Sequence, residues 1–261
     1  PEHLCNGICS LRPNEEKLAY SCIFEMDDNV NIINHRIRKT VIKSDRRFTY
    51  EEAQEIIETG KGDYAEEVLT LDRLAKALRK RRFEHGSVNF DRFEVRFEID
   101  ETGHPISVYF KVSKDANKLV EEFMLLANKQ VATDIGNPGG RKKAKPFVYR
   151  IHDNPDPDRM TNFAEIANRF GYKVRTTGKR TDINNSLNKM LSSVKGKPEE
   201  NLLSILAIRS MSKAVYSTVN VGHYGLAFDY YTHFTSPIRR YPDMMVHRLL
   251  DKYLNGGRAV N

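Results

Sequence analysis

Side chains that could bind a phosphate group are concentrated in one stretch of the sequence, residues 223–248. This stretch holds six phenylalanine or tyrosine rings and three arginines within 26 residues. Ser236 and Pro237 are the residue types that favour a helix N-cap and first turn, and Arg239 and Arg240 follow them directly. Because the first amides of a helix are unpaired, this turn predicts a phosphate site.

The residues after this turn predict a kink. Pro242 disfavours helical geometry at Tyr241, and the amphipathic run after them predicts a buried helix. The kink would turn the arginines away from that helix. An isolated Ser-Pro-x-Arg string also occurs at ordinary helix starts, where the arginines are solvated and nearby rings belong to the core.

The elements that must position this stretch follow an order of strands first and helices last. Alternating apolar residues predict a hairpin leading to a further strand over residues 18–42, a hairpin over 88–112 and a short strand over 147–151. Thr49 and Glu52 form a capping box that begins a helix ending near Gly60. Further helices are predicted over residues 64–82, 117–135, 159–170, 182–194 and 199–217. This order favours a mixed α/β (α+β) domain, in which helices cover a largely antiparallel sheet.

Composition narrows the class of protein. The chain has 42 lysines and arginines against 35 acidic residues, a net charge of +7, which suits a polyanionic partner. Cys5, Cys9 and Cys22 match neither a disulfide framework nor a zinc site, which favours a cytoplasmic location. No apolar run approaches the ~20 residues that would cross a membrane.

The whole string HYGLAFDYYTHFTSPIRRYPDMMVHR resembles the signature of the ribonuclease II / ribonuclease R (RNB) family, and bacterial ribonuclease R most closely. Residues 6–11, 48–54, 120–128 and 146–153 resemble other family segments in the same order. The resemblance implies that residues 1–261 are the C-terminal portion of an RNB catalytic domain truncated at both ends. The implied activity is processive 3′→5′ hydrolysis of single-stranded RNA to nucleoside 5′-monophosphates, without a small-molecule cofactor. A monomer is expected for the parent protein.

The resemblance also implies site residues. Arg239 would lie at the scissile phosphate and neutralise the charge that grows in the transition state. His233 and Arg240, which lie beside it in the sequence, would contribute to RNA binding by supporting it.

Three further residues are implied to bind RNA. Tyr50 would contact the 3′-terminal nucleotide, and Glu121 would accept a hydrogen bond from a ribose 2′-hydroxyl, which favours RNA over DNA. Phe90 would stack on the terminal base. From the residues alone, Tyr50 is more typical of a helix start, Glu121 of a solvated helix face and Phe90 of a strand core.

Two charged clusters have weaker functional interpretations. The basic loop of residues 141–145 could line an RNA channel, although charged loops are mostly solvated. Asp153, Asp156 and Asp158 are close enough in sequence to suggest metal ligands. The intervening prolines disfavour a calcium-type loop, and the family has a similar solvent-facing turn here.

In the family, the metal-binding aspartates lie upstream of the segment that corresponds to Asn6, and a last catalytic carboxylate and an S1 domain lie beyond the signature. We therefore expect Mg²⁺ in the longer parent enzyme, with no metal ligands in this chain. The alternative is a non-catalytic RNA-binding or scaffolding protein derived from such an enzyme. A basic structural protein unrelated to RNA would require the signature to be coincidental. An upstream reading frame with the aspartates would favour the enzyme, and a start codon near Pro1 the alternative.

The first prediction concerns the isolated chain. Mixed with a 3′-tailed RNA and Mg²⁺, the 261-residue protein should release no mononucleotides, because it lacks the metal-binding carboxylates. Adding a separately expressed upstream segment should restore their release on a gel, and Arg239→Ala should abolish it again. Mononucleotides released by the chain alone would refute the prediction.

Overall fold

The computed structural model describes residues 2–89, 94–139 and 143–260. After a short π-helical segment, His3–Ile8, its strands and helices alternate irregularly along the chain. The strands are β1 Glu16–Met26, β2 Ile32–Lys43, β3 Glu94–Ile99, β4 Pro105–Lys111, β5 Tyr149–Ile151 and β6 Val215–Ser217. The helices are α1 Tyr50–Thr59, α2 Ala65–Glu84, α3 Asp115–Gly136, α4 Pro157–Arg169, α5 Arg180–Val194, α6 Glu200–Ser210 and α7 Tyr241–Leu254, with a 3₁₀ turn at Tyr224–Leu226.

The mixed α/β fold with antiparallel pairing is confirmed. Among the described residues the strands form three two-stranded antiparallel sheets, β1–β2, β3–β4 and β5–β6, and helices pack around them. The first hairpin keeps its register from Glu16 opposite Lys43 as far as a bulge at Glu25 and Met26. β2 is one continuous strand of 12 residues. Nowhere in these described ranges is a helix long and apolar enough to cross a membrane.

The two long hairpins differ in what they pack against. Tyr20 on β1 contacts the rings of Phe234 and His247, so this hairpin covers the core next to α7. The β3–β4 hairpin shows the predicted alternation, but its apolar face, including Phe97 and Val108, is exposed. Phe90, the residue expected to stack on a base, lies outside the described residues.

The capping box at the start of α1 is confirmed. Thr49 Oγ1 accepts a hydrogen bond from Glu52 N, and Thr49 N donates to the Glu52 carboxylate. Gly60 ends the helix in the left-handed conformation, with a φ of 70° that glycine adopts without steric strain. These interactions involve neighbouring residues only, so the sequence was sufficient to predict them.

Helix α2 buries the apolar stripe that its sequence predicts at Val68 and Ala75, but it also buries charged residues. Leu71 is largely exposed, whereas Asp72 and Arg82 are buried. Arg82 binds the buried carboxylate of Glu122 on α3, and Asp72 pairs with Lys76. A buried charge is tolerated when it is paired, and the partner of Arg82 lies 40 residues away in the sequence.

Two main clusters of buried side chains form the core. The first joins β2, α3, β5 and α7, and it includes Val131, Phe147 and Leu250. The second lies within α4, α5 and α6, which we call the three-helix body, and it includes Leu187 and Leu203. The signature segment, residues 223–248, contributes side chains to both clusters.

One predicted helix was wrong at its C-terminal end. The helix expected over residues 199–217 ends at Ser210, and Val215–Ser217 forms β6 instead. The reason is a non-local pairing, because Val215 lies opposite Ile151 and Tyr216 opposite Arg150 on β5. This ladder satisfies backbone groups that a longer helix would have paired internally.

The second prediction tests the α7 core. Leu250 is 0% exposed, so Leu250→Ala should lower the free energy of unfolding by about 2–5 kcal/mol through lost contacts and a residual cavity. Leu254 lies four residues later on the same helix and is 48% exposed, so Leu254→Ala is the matched control. Urea denaturation of the two variants measures the difference, and equal losses would contradict this core assignment.

Candidate functional site

The signature segment is held in place by β5. Arg150 N donates to Tyr231 O at 2.9 Å, and Tyr224 N donates to His152 O at 2.7 Å. The buried Thr232 hydroxyl donates to Val148 O at 2.6 Å. β5 therefore lies between β6 on one side and the signature segment on the other, so all three meet at one place.

Helix α3 also holds the signature segment in place, through Asn128. Asn128 is buried, and its Nδ2 donates to the Tyr231 hydroxyl at 3.2 Å. Its Oδ1 accepts from Phe234 N at 2.9 Å. One side chain on a long helix thus satisfies both a ring hydroxyl and a backbone amide of the segment that leads to the arginines.

The arginine turn differs from the predicted helix start. Helix α7 begins at Tyr241 with Arg240 as its N-cap residue, so the assignment of Ser236 as N-cap was wrong. The Ser236 carbonyl instead accepts from Arg239 N and Arg240 N, which closes a single separate turn. Arg240 is extended, and Pro242 occupies the first turn of α7, where its missing amide hydrogen needs no acceptor. The predicted break before the amphipathic helix is confirmed, but it lies at the extended Arg240, and Tyr241, where Pro242 was expected to disfavour helical geometry, is the first helical residue.

Asp243 anchors this turn. Its carboxylate is fully buried, and its Oδ1 accepts from Ser236 N and from Arg240 Nη2, both at 2.8 Å. A buried carboxylate needs such donors to offset its loss of hydration. Arg240 is therefore half-buried in an ion pair within the fold.

Arg239 has the opposite environment. Its side chain is exposed, and Nη2 lies 3.5 Å from Ser236 Oγ. In the described ranges its guanidinium makes no ion pair with an acidic side chain. It is therefore an available cation on a turn whose backbone is fixed at both ends.

His233 lies next to these arginines and is uncharged at neutral pH. Burial, together with the charges of Arg240, Arg150 and Arg239 and against the raising effect of Asp243, lowers the pKa of His233 to about 4. Its Nδ1 shares a 2.7 Å hydrogen bond with the Tyr216 hydroxyl. The Arg150 guanidinium lies 4.8 Å from the Tyr216 ring centroid, opposite it on the paired strand.

Two further histidines, His152 and His223, line up with His233 through ring contacts, and neither was among the predicted site residues. His152 Nδ1 accepts from Gly225 N at 3.1 Å, and His223 Nδ1 accepts from Leu226 N at 3.3 Å. Burial lowers the pKa of His223 to about 3 and also lowers that of His152. A Cβ at Gly225 would lie 2.9 Å from His152 Nδ1, so this close packing requires glycine.

Two other predicted RNA-binding residues, Glu121 and Tyr50, lie farther from the arginine turn, towards the N-terminal end of α3. Glu121 precedes Asn128 by seven residues, so it lies on nearly the same face about 10 Å away. Its side chain is exposed, and the Arg82 guanidinium lies 3.8 Å from it. Tyr50 is 44% exposed at the start of α1, which docks on the first turn of α3 through the Gln54–Ala116 hydrogen bond.

Tyr50 borders a groove with a volume of about 650 Å³. Its walls include Phe48, Tyr64 and Val120. The structure thus brings His233, Arg239 and Arg240 together and places Glu121 and Tyr50 at increasing distances along α3.

The charged clusters with weaker interpretations have structural partners. Lys145 Nζ donates to Gly257 O at 3.0 Å and lies over the Tyr253 ring, whereas residues 141 and 142 lie outside the described ranges. Asp156 is the N-cap of α4 and accepts from Asp158 N and Arg159 N. Asp153 accepts from Asn154 N.

Within the described part of the chain, no group of three or more His, Cys, Asp or Glu side chains could hold a metal ion. Asp243 Oδ1, beside the arginine turn, accepts from Ser236 N and Arg240 Nη2, and the buried Oδ2 has no hydrogen-bond partner among the described residues. These side chains therefore do not fit a two-metal centre.

Comparison with known proteins gives consistent matches. The family model described as the RNB domain matches residues 1–256. Ribonuclease R of Aquifex aeolicus is 40% identical over 262 residues, covering 98% of this chain and 36% of that protein. Ribonuclease R 1 of Lactococcus lactis is 38% identical over 270 residues, covering 100% of this chain and 32% of that protein. The chain spans about a third of the length of these two relatives.

Among solved structures, Mycoplasma genitalium RNase R in complex with ribose methylated single-stranded RNA superposes with a TM-score of 0.87. It is 27% identical in sequence, and the match covers 97% of this chain and 39% of that chain. The fold described above is therefore shared with a protein that was solved with RNA bound.

The third prediction follows from the buried imidazoles. Above about pH 6.5, His233 is neutral in both the folded and the unfolded chain. As the pH falls from 6.5 towards 4, the unfolded chain binds the proton first, so the free energy of unfolding decreases. His233→Gln should make that decrease smaller, whereas His3→Gln, at an exposed position without an ion pair among the described residues, should leave it unchanged. Urea denaturation at a series of pH values measures it, and an identical pH dependence in all three proteins would contradict the burial of a neutral His233.

Proposed function

The chain belongs to the RNB-domain family, and on that basis we propose that it forms part of the catalytic domain of a 3′→5′ exoribonuclease. The proposed substrate is single-stranded RNA, and the proposed products are nucleoside 5′-monophosphates. The names of the relatives support a ribonuclease, and the RNA complex of one solved relative supports binding of a single strand.

The observation that carries the proposal is the contrast between two adjacent arginines. Arg240 is held by the buried Asp243, whereas Arg239 is exposed and makes no ion pair with any described side chain. A guanidinium can donate two parallel hydrogen bonds to a phosphate group. At the scissile phosphate, Arg239 would stabilise the charge that develops on the phosphoryl oxygens, and Arg240 would hold the turn that carries it.

The neutral His233 fits the same role. A protonated imidazole beside Arg150, Arg239 and Arg240 would add a fourth positive charge to a half-buried cluster. The low pKa prevents this, and the imidazole is left to orient Tyr216 through their hydrogen bond. The proposed role of His233 is therefore to hold Tyr216 in place beneath the RNA-binding surface.

Helix α3 offers a path for the RNA strand. From Ala116, where α1 docks, to Asn128, where the signature segment docks, the helix advances about 18 Å. Glu121 lies between these points, and its carboxylate can accept a hydrogen bond from a 2′-hydroxyl that DNA lacks. The proposed contacts of Tyr50 and Phe90 with the 3′-terminal nucleotide remain predictions.

The metal requirement is also a proposal. Hydrolysis in this family is expected to use Mg²⁺, and the described side chains around Arg239 do not supply its carboxylates. We propose that those carboxylates come from polypeptide outside the 261 residues. What these residues would contribute is phosphate binding and positioning of the strand.

A second candidate function is RNA binding without hydrolysis. It is favoured by the composition of the surface around Arg239, where the described side chains are arginines, neutral imidazoles and tyrosines. This set provides charge neutralisation and stacking, which are sufficient for binding. The two functions differ in whether Arg239 contributes to turnover.

The fourth prediction separates turnover from binding. In the 261-residue chain complemented with an upstream segment, Arg239→Gln should lower the rate of mononucleotide release about 100-fold or more, the scale for losing one transition-state donor. RNA affinity, measured by fluorescence anisotropy, should fall less than about tenfold, because one phosphate contact is lost among several.

Arg169→Gln is the matched control, because Arg169 is exposed on α4 and belongs to the three-helix body. It should change neither quantity. If Arg239→Gln weakened RNA binding as much as turnover, Arg239 would be a binding residue only. If the complemented wild-type chain bound RNA in a salt-sensitive manner without releasing mononucleotides, the second candidate would replace the first.

A further inference from the structure

Arg150 is a second arginine of the candidate site that makes no ion pair with any described side chain. It is the central residue of β5, and its side chain is half-buried. Its backbone amide donates to Tyr231 O, whereas its guanidinium has no hydrogen-bond partner in the ranges that the structure describes. A half-buried guanidinium has lost part of its hydration, so it is normally matched by an acceptor. The roles proposed above do not use this cation.

The Tyr216 ring restricts the orientation of Arg150. The two residues are directly opposite each other in the β5–β6 ladder, and the guanidinium carbon lies 4.8 Å from the ring centroid. An arginine held over an aromatic face by its charge keeps its N–H donors for other acceptors. The ring therefore positions the guanidinium and leaves its donors available.

His233 holds the Tyr216 ring in turn. The Tyr216 hydroxyl and His233 Nδ1 share a hydrogen bond of 2.7 Å, and the two rings meet edge to face with centroids 5.6 Å apart. β5 lies between β6 and the signature segment, so the Tyr216 side chain reaches across β5 to make this bond. The ring is held at both ends although it is 38% exposed. A platform that is already ordered loses little conformational entropy when a ligand binds.

The charges around His233 do not balance. Besides burial, the charges of Arg240, Arg150 and Arg239 lower the pKa of His233. Asp243 opposes them, but its carboxylate is already paired with Arg240. Two guanidinium groups are thus left without a counter-charge among the described side chains. Their mutual repulsion is relieved by a ligand that carries two negative charges, and a single phosphodiester carries only one.

We propose that Arg150 binds a second phosphate group of the RNA strand whose scissile phosphate is bound by Arg239. Tyr216 is a positioning residue that acts through Arg150. The proposal rests on the RNA-binding function proposed above and adds a second phosphate contact to it. Because phosphate contacts fix the register of a nucleic acid without reading its sequence, two fixed guanidinium groups would set which linkage lies at Arg239.

The first test measures how RNA binding by the 261-residue chain depends on salt, by fluorescence anisotropy. Arg150→Gln should lower the slope of log affinity against log salt concentration by about 0.7, the value for one phosphate of a single strand. It should weaken binding about five- to tenfold, equally for oligo(A) and oligo(U), because no base is read. Arg169→Gln, at an exposed position on α4, is the matched control and should change neither quantity.

The second test locates the phosphate that Arg150 binds. Neutral methylphosphonate replaces one linkage at a time near the 3′ end, on a 2′-O-methyl nucleotide, and RNA with that nucleotide and an ordinary phosphate is the reference. In the wild type, replacing the linkage that Arg150 contacts should weaken binding about five- to tenfold. In Arg150→Gln the same replacement should have no further effect, because its partner is already absent. Arg239→Gln should become insensitive at a different linkage.

Two further variants separate phosphate binding from a structural role. Arg150→Lys keeps the charge but lacks the planar fork, so it should keep the wild-type salt slope and bind RNA more weakly than the wild type. Tyr216→Phe loses the hydroxyl that His233 holds. It should be less sensitive to methylphosphonate at the Arg150 linkage and fully sensitive at the Arg239 linkage, whereas a variant that merely unfolds would lose both sensitivities.

The proposal is overturned if Arg150→Gln keeps the wild-type salt slope, if no linkage loses its effect in that variant, or if the Arg150 and Arg239 variants become insensitive at the same linkage. Each of these outcomes leaves the RNA-binding function intact, because the wild-type chain binds RNA in all of them. Wild-type chain that showed no salt-sensitive RNA binding would instead overturn both proposals. All readouts are binding measurements, so they do not depend on hydrolysis.

Discussion

The candidate site depends on one buried carboxylate. Asp243 accepts hydrogen bonds from the backbone of Ser236 and from the guanidinium of Arg240, on either side of the residue that faces solvent. A charge removed from water is stable only with such donors, so the first turn of α7 and the preceding turn constrain each other. Arg239 lies between Ser236 and Arg240, and Asp243 holds both of these residues. The backbone from which the Arg239 side chain extends is therefore fixed in position.

Around Asp243, burial determines which basic side chains carry a positive charge. The arginines keep their protons in any protein environment, whereas desolvation keeps His152, His223 and His233 neutral. The positive potential of the surface is therefore carried by groups that do not titrate near neutral pH. The imidazoles contribute shape and hydrogen-bond acceptors, which hold the 3₁₀ turn and Tyr216.

Local interactions were predictable from the sequence, and non-local ones were not. The capping box at Thr49 depends on residues within a few positions, so the prediction was confirmed. The N-cap at Ser236 was wrong because the chain is extended at Arg240 and the helix begins only at Tyr241, and β6 was missed because its partner strand lies before the three-helix body. For the site, the family resemblance supplied Arg239, whereas the histidines behind it become visible only when β5 and the signature segment are adjacent.

The pairing of β5 with β6 has a consequence for how such a protein can change over evolutionary time. Ile151 and Val215 are directly opposite each other, so the chain leaves for α4 and returns from α6 at the same point. The entropy of closing an excursion between fixed ends grows only slowly with its length. Relatives could therefore enlarge, shorten or exchange these helices without moving Arg150 or Tyr216, and substrate preference could diversify while the phosphate-binding turn stays the same.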